Sequence, residues 1–288
     1  MRSHPLRLHR QFRYTLSFLQ RLGQELRSLY AGARPDLMIA DFTLPSAGAV
    51  ARDLGIPWWT SLASPCVLET PDGTPAYLGG LAPGAGRATH ARDRLGRRLI
   101  RAFKQVTFSL YGREIAKAGV TRLYRPDGYE EIYSAECVLA LGVKELEFPR
   151  SWPSAVRFIG PMLYTPPTAL PDPPFIAGRR HVLVTLGTHV HWVKDRMALE
   201  AERAARSMPS VTFHFSDGRQ TGAAEERGNF VRVPYVDYDR CLPRYDLVVH
   251  HGGSGVMYHC LRNGVPAIVY PVDYDQFDHA ARLEAART

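Results

Sequence analysis

Among the 288 residues, the segment whose residue types could do chemistry most directly is Leu247-Val248-Val249-His250-His251-Gly252-Gly253-Ser254-Gly255. An apolar run leads into glycines and then into a helical pattern, so it reads as strand, tight turn and helix start. The glycines let backbone N–H groups come close to an anion, and the helix beginning near Ser254 offers unpaired N–H groups and a positive dipole end. A diphosphate suits that geometry. The run is neither GxxxxGK[ST] nor GxGxxG, which argues against the ordinary ATP and NAD loops. His251 can add a hydrogen bond or a positive charge to a phosphate oxygen as a diphosphate leaves. His250 and His251 make a poor metal pair, because adjacent strand residues point to opposite faces. A plain helix-start turn with a packed histidine is the structural alternative.

Further on, Asn263-Gly264-Val265-Pro266 closes the helix, Tyr270-Pro271 ends the next strand, and Asp275-Gln276 follows at the expected carboxyl edge of the sheet. A carboxylate beside an amide offers acceptors and donors for several sugar hydroxyls, although Asp275 also suits a helix start.

The elements that must position these residues fall into two halves. Residues 161–180, PMLYTPPTALPDPPFIAGRR, hold six prolines and read as a linker between domains 1–160 and 181–288. In the second half, apolar runs at 181–186, 211–215, 230–233, 247–250 and 267–270 alternate with helical stretches at 194–206, 254–262 and 276–286. This is the pattern of a doubly wound parallel sheet, in which ligands bind at the strands' carboxyl ends. The first half alternates less cleanly: helix 6–30, strand 37–40, helix 47–54, strand 56–61, a long helix over 91–122, and strands at 137–141 and 156–159. No internal repeat of fixed period is visible.

The net charge of +8 sits in the first half, where residues 1–160 hold 22 Lys/Arg against 14 Asp/Glu. Arg87 to Lys104 is its densest part, with Asp93 as the lone acid. Leu95, Leu99, Ile100, Phe103 and Val106 add an apolar stripe, so this basic amphipathic helix could rest on an anionic membrane, the alternative being a solvated helix face. Nucleic acid is disfavoured, because no reading motif or stacking platform accompanies the charge. The scattered cysteines Cys66, Cys137, Cys241 and Cys260 suggest neither a zinc site nor a disulfide framework. With no apolar run near 20 residues and no signal segment, a cytoplasmic protein is expected, peripheral at the membrane's inner face if the helix docks.

The run HHGGSGVMYHCLRNGVPAIVYPVDYDQFDHAARL resembles the donor-binding signature of family-1 glycosyltransferases, and its double histidine is nearest to the bacterial macrolide and glycopeptide members. The resemblance implies an α/β GT-B fold, two Rossmann-like doubly wound domains with a donor cleft between them. It implies that His251, Gly253, Ser254, Gly255, Val256 and Thr188 lie at the donor diphosphate, Tyr235 and Val236 at the base, and Asp275 and Gln276 at the sugar. Val256 stands where the family usually has a Thr hydroxyl, and Asp237 where a Pro usually follows the base segment. In the first half, PDLMIADF and ARDLGIP resemble the family more weakly. Asp41 there matches the aspartate that orients a catalytic histidine, a surface or capping carboxylate being the alternative. Phe42, Trp58 and Trp59 are expected in an acceptor pocket, or else in the core.

By resemblance the reaction would move a hexose from a UDP- or dTDP-sugar to a hydroxyl of a lipophilic small molecule with inversion, needing no metal and no cofactor. The family's first strand and the glycine-histidine loop supplying its base have no counterpart here, since His4 and His9 lie in or before a helix. The chain also stops inside the helix after Gln276, so it reads as shortened at both ends. Two other readings stay open: a non-catalytic GT-B remnant that binds nucleotide or a partner chain, and a sugar-nucleotide epimerase.

Overall fold

A computed structural model describes residues 5–188 and 190–286, apart from the side chains of residues 5–8 and 11. The chain divides into two compact units, Met1–Pro75 with Pro83–Gly160, and Ala76–Ala82 with Pro161–Thr288.

The first unit runs α1 (Pro5–Gly32), β1 (Met38–Asp41), α2 (Pro45–Leu54), β2 (Trp58–Leu62), α3 (Arg87–Leu110), α4 (Gly112–Lys117), β3 (Val138–Ala140) and β4 (Val156–Phe158). Its four strands are parallel in the order β1-β2-β3-β4. α2 has a side buried as Ala47, Gly48, Ala49, Val50 and Ala51, and these small residues let it lie close to the sheet. Gly48 is needed there, because a Cβ would sit 2.6 Å from the Trp58 ring. The long helix expected over 91–122 is instead two helices. Tyr111 leaves helical geometry (φ −112, ψ 15) with its ring edge-on to Phe12 of α1 at 4.7 Å, and Gly112 begins the next helix. Packing and a weak helix former together override the periodicity.

The second unit runs β5 (Arg180–Thr185), α5 (Lys194–Ser207), β6 (Val211–Ser216), β7 (Glu225–Arg227), β8 (Phe230–Val233), α6 (Tyr238–Cys241), β9 (Leu247–His250), α7 (Ser254–Asn263), β10 (Ala267–Val269) and α8 (Gln276–Ala286). The sheet order is β10-β9-β5-β6-β8-β7, parallel except for β7 against β8. The exposed strand β7 has no apolar alternation to reveal it, and its charges protect the sheet edge. Buried cores lie on both faces, with Val182, Val184, Ala201 and Phe213 in one and Leu183, Val233, Leu242 and Val248 in the other.

The proline-rich stretch 161–179 holds no helix or strand, but its end is fastened to the second unit. Phe175 packs at 5.0 Å from the rings of His181 and Tyr245, and Asp172 pairs with Arg240 at 2.8 Å and Arg244 at 3.2 Å. Ala76–Ala82, inside the expected first domain, also belongs to the second unit, where the Tyr77 N–H donates to Asp278 at 2.9 Å. No helix among the described residues is long and apolar enough to cross a membrane.

Candidate functional site

The second sheet reverses direction between β5 and β9. From β5 the chain moves outward to β6 and β8, then returns to lay β9 on the other side of β5, with Thr185 level with His250. Loops after two such strands diverge at their carboxyl ends and leave a crevice between them, the usual ligand site of open α/β sheets. Here they are the loop after β5, with Gly187 and Thr188, and the turn His251-Gly252-Gly253 before α7.

The two loops interlock through His251. A Cβ on Gly187 would fall 2.9 Å from the His251 ring, and one on Gly253 only 2.5 Å, so the buried imidazole lies between two bare backbones. Gly252 has φ +91, a conformation suited to glycine. Its peptide is gripped on both sides: its N–H donates to His250 Nδ1 at 3.0 Å, and its carbonyl lies 2.7 Å from His279 Nδ1. The Gly252 N–H is therefore not available to a phosphate. What remains is the mouth of α7, where the N-cap is Gly253, no side chain caps the turn, and no acidic residue stands in it. Gly255 is exposed and Ser254 half-buried there, whereas the Val256 side chain is in the core, so only its backbone could serve an anion.

Polar groups behind the β5 loop fix it in turn. Lys194, at the start of α5 and buried, donates from Nζ to the carbonyl of Gly187 at 2.7 Å and to that of Asp217. Burial lowers its pKa, an effect opposed by nearby Asp217. Thr185 Oγ1 accepts from the Gly187 N–H at 3.3 Å and lies 3.0 Å from the Tyr238 hydroxyl. Burial pushes His250 down to about 4, with further lowering by His251 and His279, so it is a neutral strut at neutral pH. Lys194, Thr185, Tyr238 and His279 escaped the sequence reading. Each looks like an ordinary helix or strand residue until its backbone partner is known.

The other expected donor residues divide by environment. Thr188 is exposed on the β5 loop. Tyr235 is half-buried, but Val236 lies in the core with Leu183 and Val248, which removes its side chain from any contact with a base. Asp237 caps α6, accepting from the Arg240 N–H at 3.0 Å. Asp275 precedes α8 with its side chain partly exposed. Gln276 is buried, and its Oε1 accepts from the N–H groups of Val272 and Asp273 at 2.8 and 3.0 Å, so that oxygen braces the loop instead of facing a sugar.

In the first unit, Asp41 ends β1 and accepts from the Thr43 N–H at 2.9 Å and hydroxyl at 2.5 Å, with Ser61 at 3.5 Å on its other oxygen. It closes its own turn and, among the described residues, bonds no histidine. His9 instead lies 2.6 Å from the Tyr111 hydroxyl, and His4 is outside the described residues. The expected acceptor aromatics do not gather. Phe42 stacks on Tyr133 beside the Leu62 core, whereas Trp58 pairs with Met38 at the far end of the strands and is buried against α2. Four residues of strand, about 13 Å, separate those levels, and Trp59 points to the face opposite Trp58.

Two α/β units, the second with a glycine-rich helix mouth at its switch point, have the architecture of a GT-B glycosyltransferase. Residues 211–288 match the Glycosyltransferase family 28 C-terminal domain, and the chain is homologous to glycosyltransferases of macrolides and other antibiotics. O-mycaminosyltylonolide 6-deoxyallosyltransferase of Streptomyces fradiae is 36% identical over 148 residues, 49% of this chain and 33% of the relative. 4'-Demethylrebeccamycin synthase of Lentzea aerocolonigenes is 29% identical over 277 residues, 90% of this chain and 62% of the relative. The chain thus spans less than two thirds of either relative. The glycotransferase of kitacinnamycin has the same fold (TM-score 0.65, 21% identity, covering 94% of this chain and 66% of that one). So does spinosyn rhamnosyltransferase SpnG, solved with thymidine diphosphate (TM-score 0.54, 21% identity, 96% and 66%).

Proposed function

We propose that this chain binds a nucleoside-diphosphate sugar at the β9–α7 turn and serves the transfer of a hexose, with inversion, to a hydroxyl of a lipophilic small molecule. The observation that carries the reading is the uncapped mouth of α7 at the switch point, with His251 packed between Gly187 and Gly253. The N–H groups of Ser254, Gly255 and Val256 would bind the diphosphate, His251 would add a donor, and Asp275 would hold sugar hydroxyls. The thymidine diphosphate in the spinosyn enzyme and the natural-product acceptors named in the relatives support a dTDP- or UDP-sugar donor and a small-molecule acceptor. Asp41 would orient a histidine general base. Because the Asp41 carboxylate is engaged by Thr43 and Ser61, a second reading is a unit that binds nucleotide without transferring sugar.

Calorimetry with dTDP, UDP and their glucose conjugates tests the site. His251→Ala should weaken the diphosphates by about 1.5–3 kcal/mol, the worth of a charge-assisted hydrogen bond. Asp275→Ala should weaken the sugar conjugates more than the free diphosphates. Unchanged affinities in both variants would remove the site from this turn, and product formation with a lipophilic alcohol separates transfer from binding alone.

We also propose that α3 meets an anionic bilayer. Leu95, Leu99, Phe103, Val106 and Leu110 form one exposed stripe, Phe103 at 70% and Leu110 at 74% exposure, with Arg87, Arg94 and Arg98 exposed alongside. A row of arginines beside an apolar row is the arrangement that anionic headgroups over acyl chains complement. Co-sedimentation with phosphatidylserine vesicles at low salt, lost in Leu99→Glu/Phe103→Glu, is expected. Equal binding to neutral vesicles would overturn it.

A further inference from the structure

The mouth of α7 is only as well placed as the peptide before it, and that peptide is held in part by a side chain from another element. Gly252 sits at φ +91, and its missing Cβ leaves room for the Gln276 carbonyl 3.0 Å away. Nothing in the turn fixes this conformation, because the glycine backbone has wide freedom. The fixing comes from two buried imidazoles. His250, two residues earlier at the end of β9, takes the N–H, and His279, in the first turns of α8, takes the carbonyl at 2.7 Å.

His279 also faces the sugar side. Its own N–H donates to the Asp275 carbonyl at 3.0 Å, and its Nε2 lies 4.0 Å from Asp275 Oδ2, one helical turn back. A carbonyl only accepts, so Nδ1 must carry a proton in the bond to Gly252. The other ring nitrogen then faces the Asp275 carboxylate across 4.0 Å. One side chain thus bonds the glycine turn and stands beside the carboxylate beyond β10.

We propose that His279 is a positioning residue of the donor site, fixing the Gly252 peptide against Asp275 so that the diphosphate and sugar contacts are set at one spacing. This rests on the donor-site reading above. Positioning matters here because helix-mouth N–H groups act on an anion only when they point at it without further rearrangement.

The test uses His279→Ala and His279→Asn in the full chain. The Asn Nδ2 can occupy the place of Nδ1 and donate to Gly252, but it has nothing to offer Asp275. Amide exchange in the unliganded protein should speed up at Gly252 and Gly253 at least tenfold in the Ala variant and change little in the Asn variant. Calorimetry should show the Ala variant losing tenfold or more in affinity for UDP and dTDP. The Asn variant should keep these within about threefold yet lose part of the added affinity for UDP-glucose or dTDP-glucose. Should the Ala variant fail to fold, the Asn variant still decides through the ratio of sugar-conjugate to diphosphate affinity. A lower melting temperature with unchanged exchange and affinity would make His279 a packing residue and overturn the inference. Faster exchange in the Ala variant, together with a wild-type chain that binds no diphosphate, would instead uphold the clamp and sink the donor reading.

Discussion

The segments β1–α2–β2 and β9–α7–β10 are built to one plan, one in each unit. Each has a four-residue strand, three connecting residues, a ten-residue helix, a left-handed glycine and a proline two residues later at the door of the next parallel strand. The helix stops are near copies, Gly55 at φ 61, ψ 33 and Gly264 at φ 60, ψ 28, each followed by an N–H reaching back into the helix. The difference lies in the three connecting residues and the residues that border them. In the first unit Asp41 folds onto Thr43 and Pro45 opens the helix, so that mouth brings a carboxylate and lacks one N–H. In the second the connection is His251-Gly252-Gly253, held from behind by His250 and His279, and the mouth is open. With strand length, helix length and stop held constant, the turn with the residues that flank and brace it separates a structural βαβ unit from one able to receive an anion.

Exchanging turn chemistry should therefore have unequal effects. Gly252→Ala forces a side chain into φ +91 with its Cβ 3.0 Å from the Gln276 carbonyl, and the turn must shift. Affinity for dTDP or UDP should fall by tenfold or more in calorimetry. The matched change, Thr43→Ala, removes one exposed hydroxyl bond and should cost about 0.5–1 kcal/mol of stability and no affinity. Equal effects from both would break the comparison.

The histidines behind the second turn add a pH dependence that the first lacks. His250 is pushed down to about 4 by burial first, then by His251 and His279, and His214 of β6 to about 4 by burial first, then by His181. An unfolded histidine titrates near 6.5, so between roughly pH 6.5 and 4 the unfolded chain binds more protons than the folded one. Their stabilisation is complete above about 6.5 and is lost as pH falls through about 4, at most on the order of 3–4 kcal/mol each. In the first unit the buried Glu130 works oppositely: desolvation raises its pKa, so acidification favours the folded form. Amide exchange resolved by unit at pH 7 and 4.5 should show the second unit losing more protection. His250→Asn, whose amide oxygen can accept from Gly252, should reduce that loss. Parallel losses in both units, unaltered by the variant, would contradict the assignment.

Much of the second unit was legible because buried parallel strands read as short apolar runs, and β8, β9 and α8 have the limits their patterns predict. The α/β class and the parallel sheets follow from the same signal, whereas the GT-B resemblance comes from the glycine-rich run after β9. What escaped depends on partners distant in sequence. Trp58 reads as a pocket aromatic because nothing in its spacing reveals that Gly48 leaves a slot for the ring. Lys194 reads as a solvated helix residue, yet carbonyls from two loops surround it. His279 lies one turn beyond Asp275 in a plain amphipathic pattern, and its partner, Gly252, is on another element. The matched βαβ segments were also invisible, since they share backbone lengths and a stop signal but few side chains.

The smallest difference expected between the units lies at the shared helix stops, where the two should behave alike. Gly55 and Gly264 both occupy the left-handed region, in which a Cβ is strained by roughly 1–2 kcal/mol. No atom lies within 4 Å of a Cβ built on Gly264, and on Gly55 only an Arg34 guanidinium nitrogen does, at 3.4 Å, so the strain is nearly all conformational. Gly55→Ala and Gly264→Ala should then each destabilise their own unit by about 1 kcal/mol in denaturant unfolding followed by amide exchange. The Asn variants should cost less, because Asn tolerates this region better. Neither change should alter diphosphate affinity, since both sit a full helix away from the mouth that differs. If Gly264→Ala weakened dTDP tenfold while Gly55→Ala changed only stability, the stop would belong to the site as much as the turn does. The contrast between the units would then have to be drawn along the whole of α7.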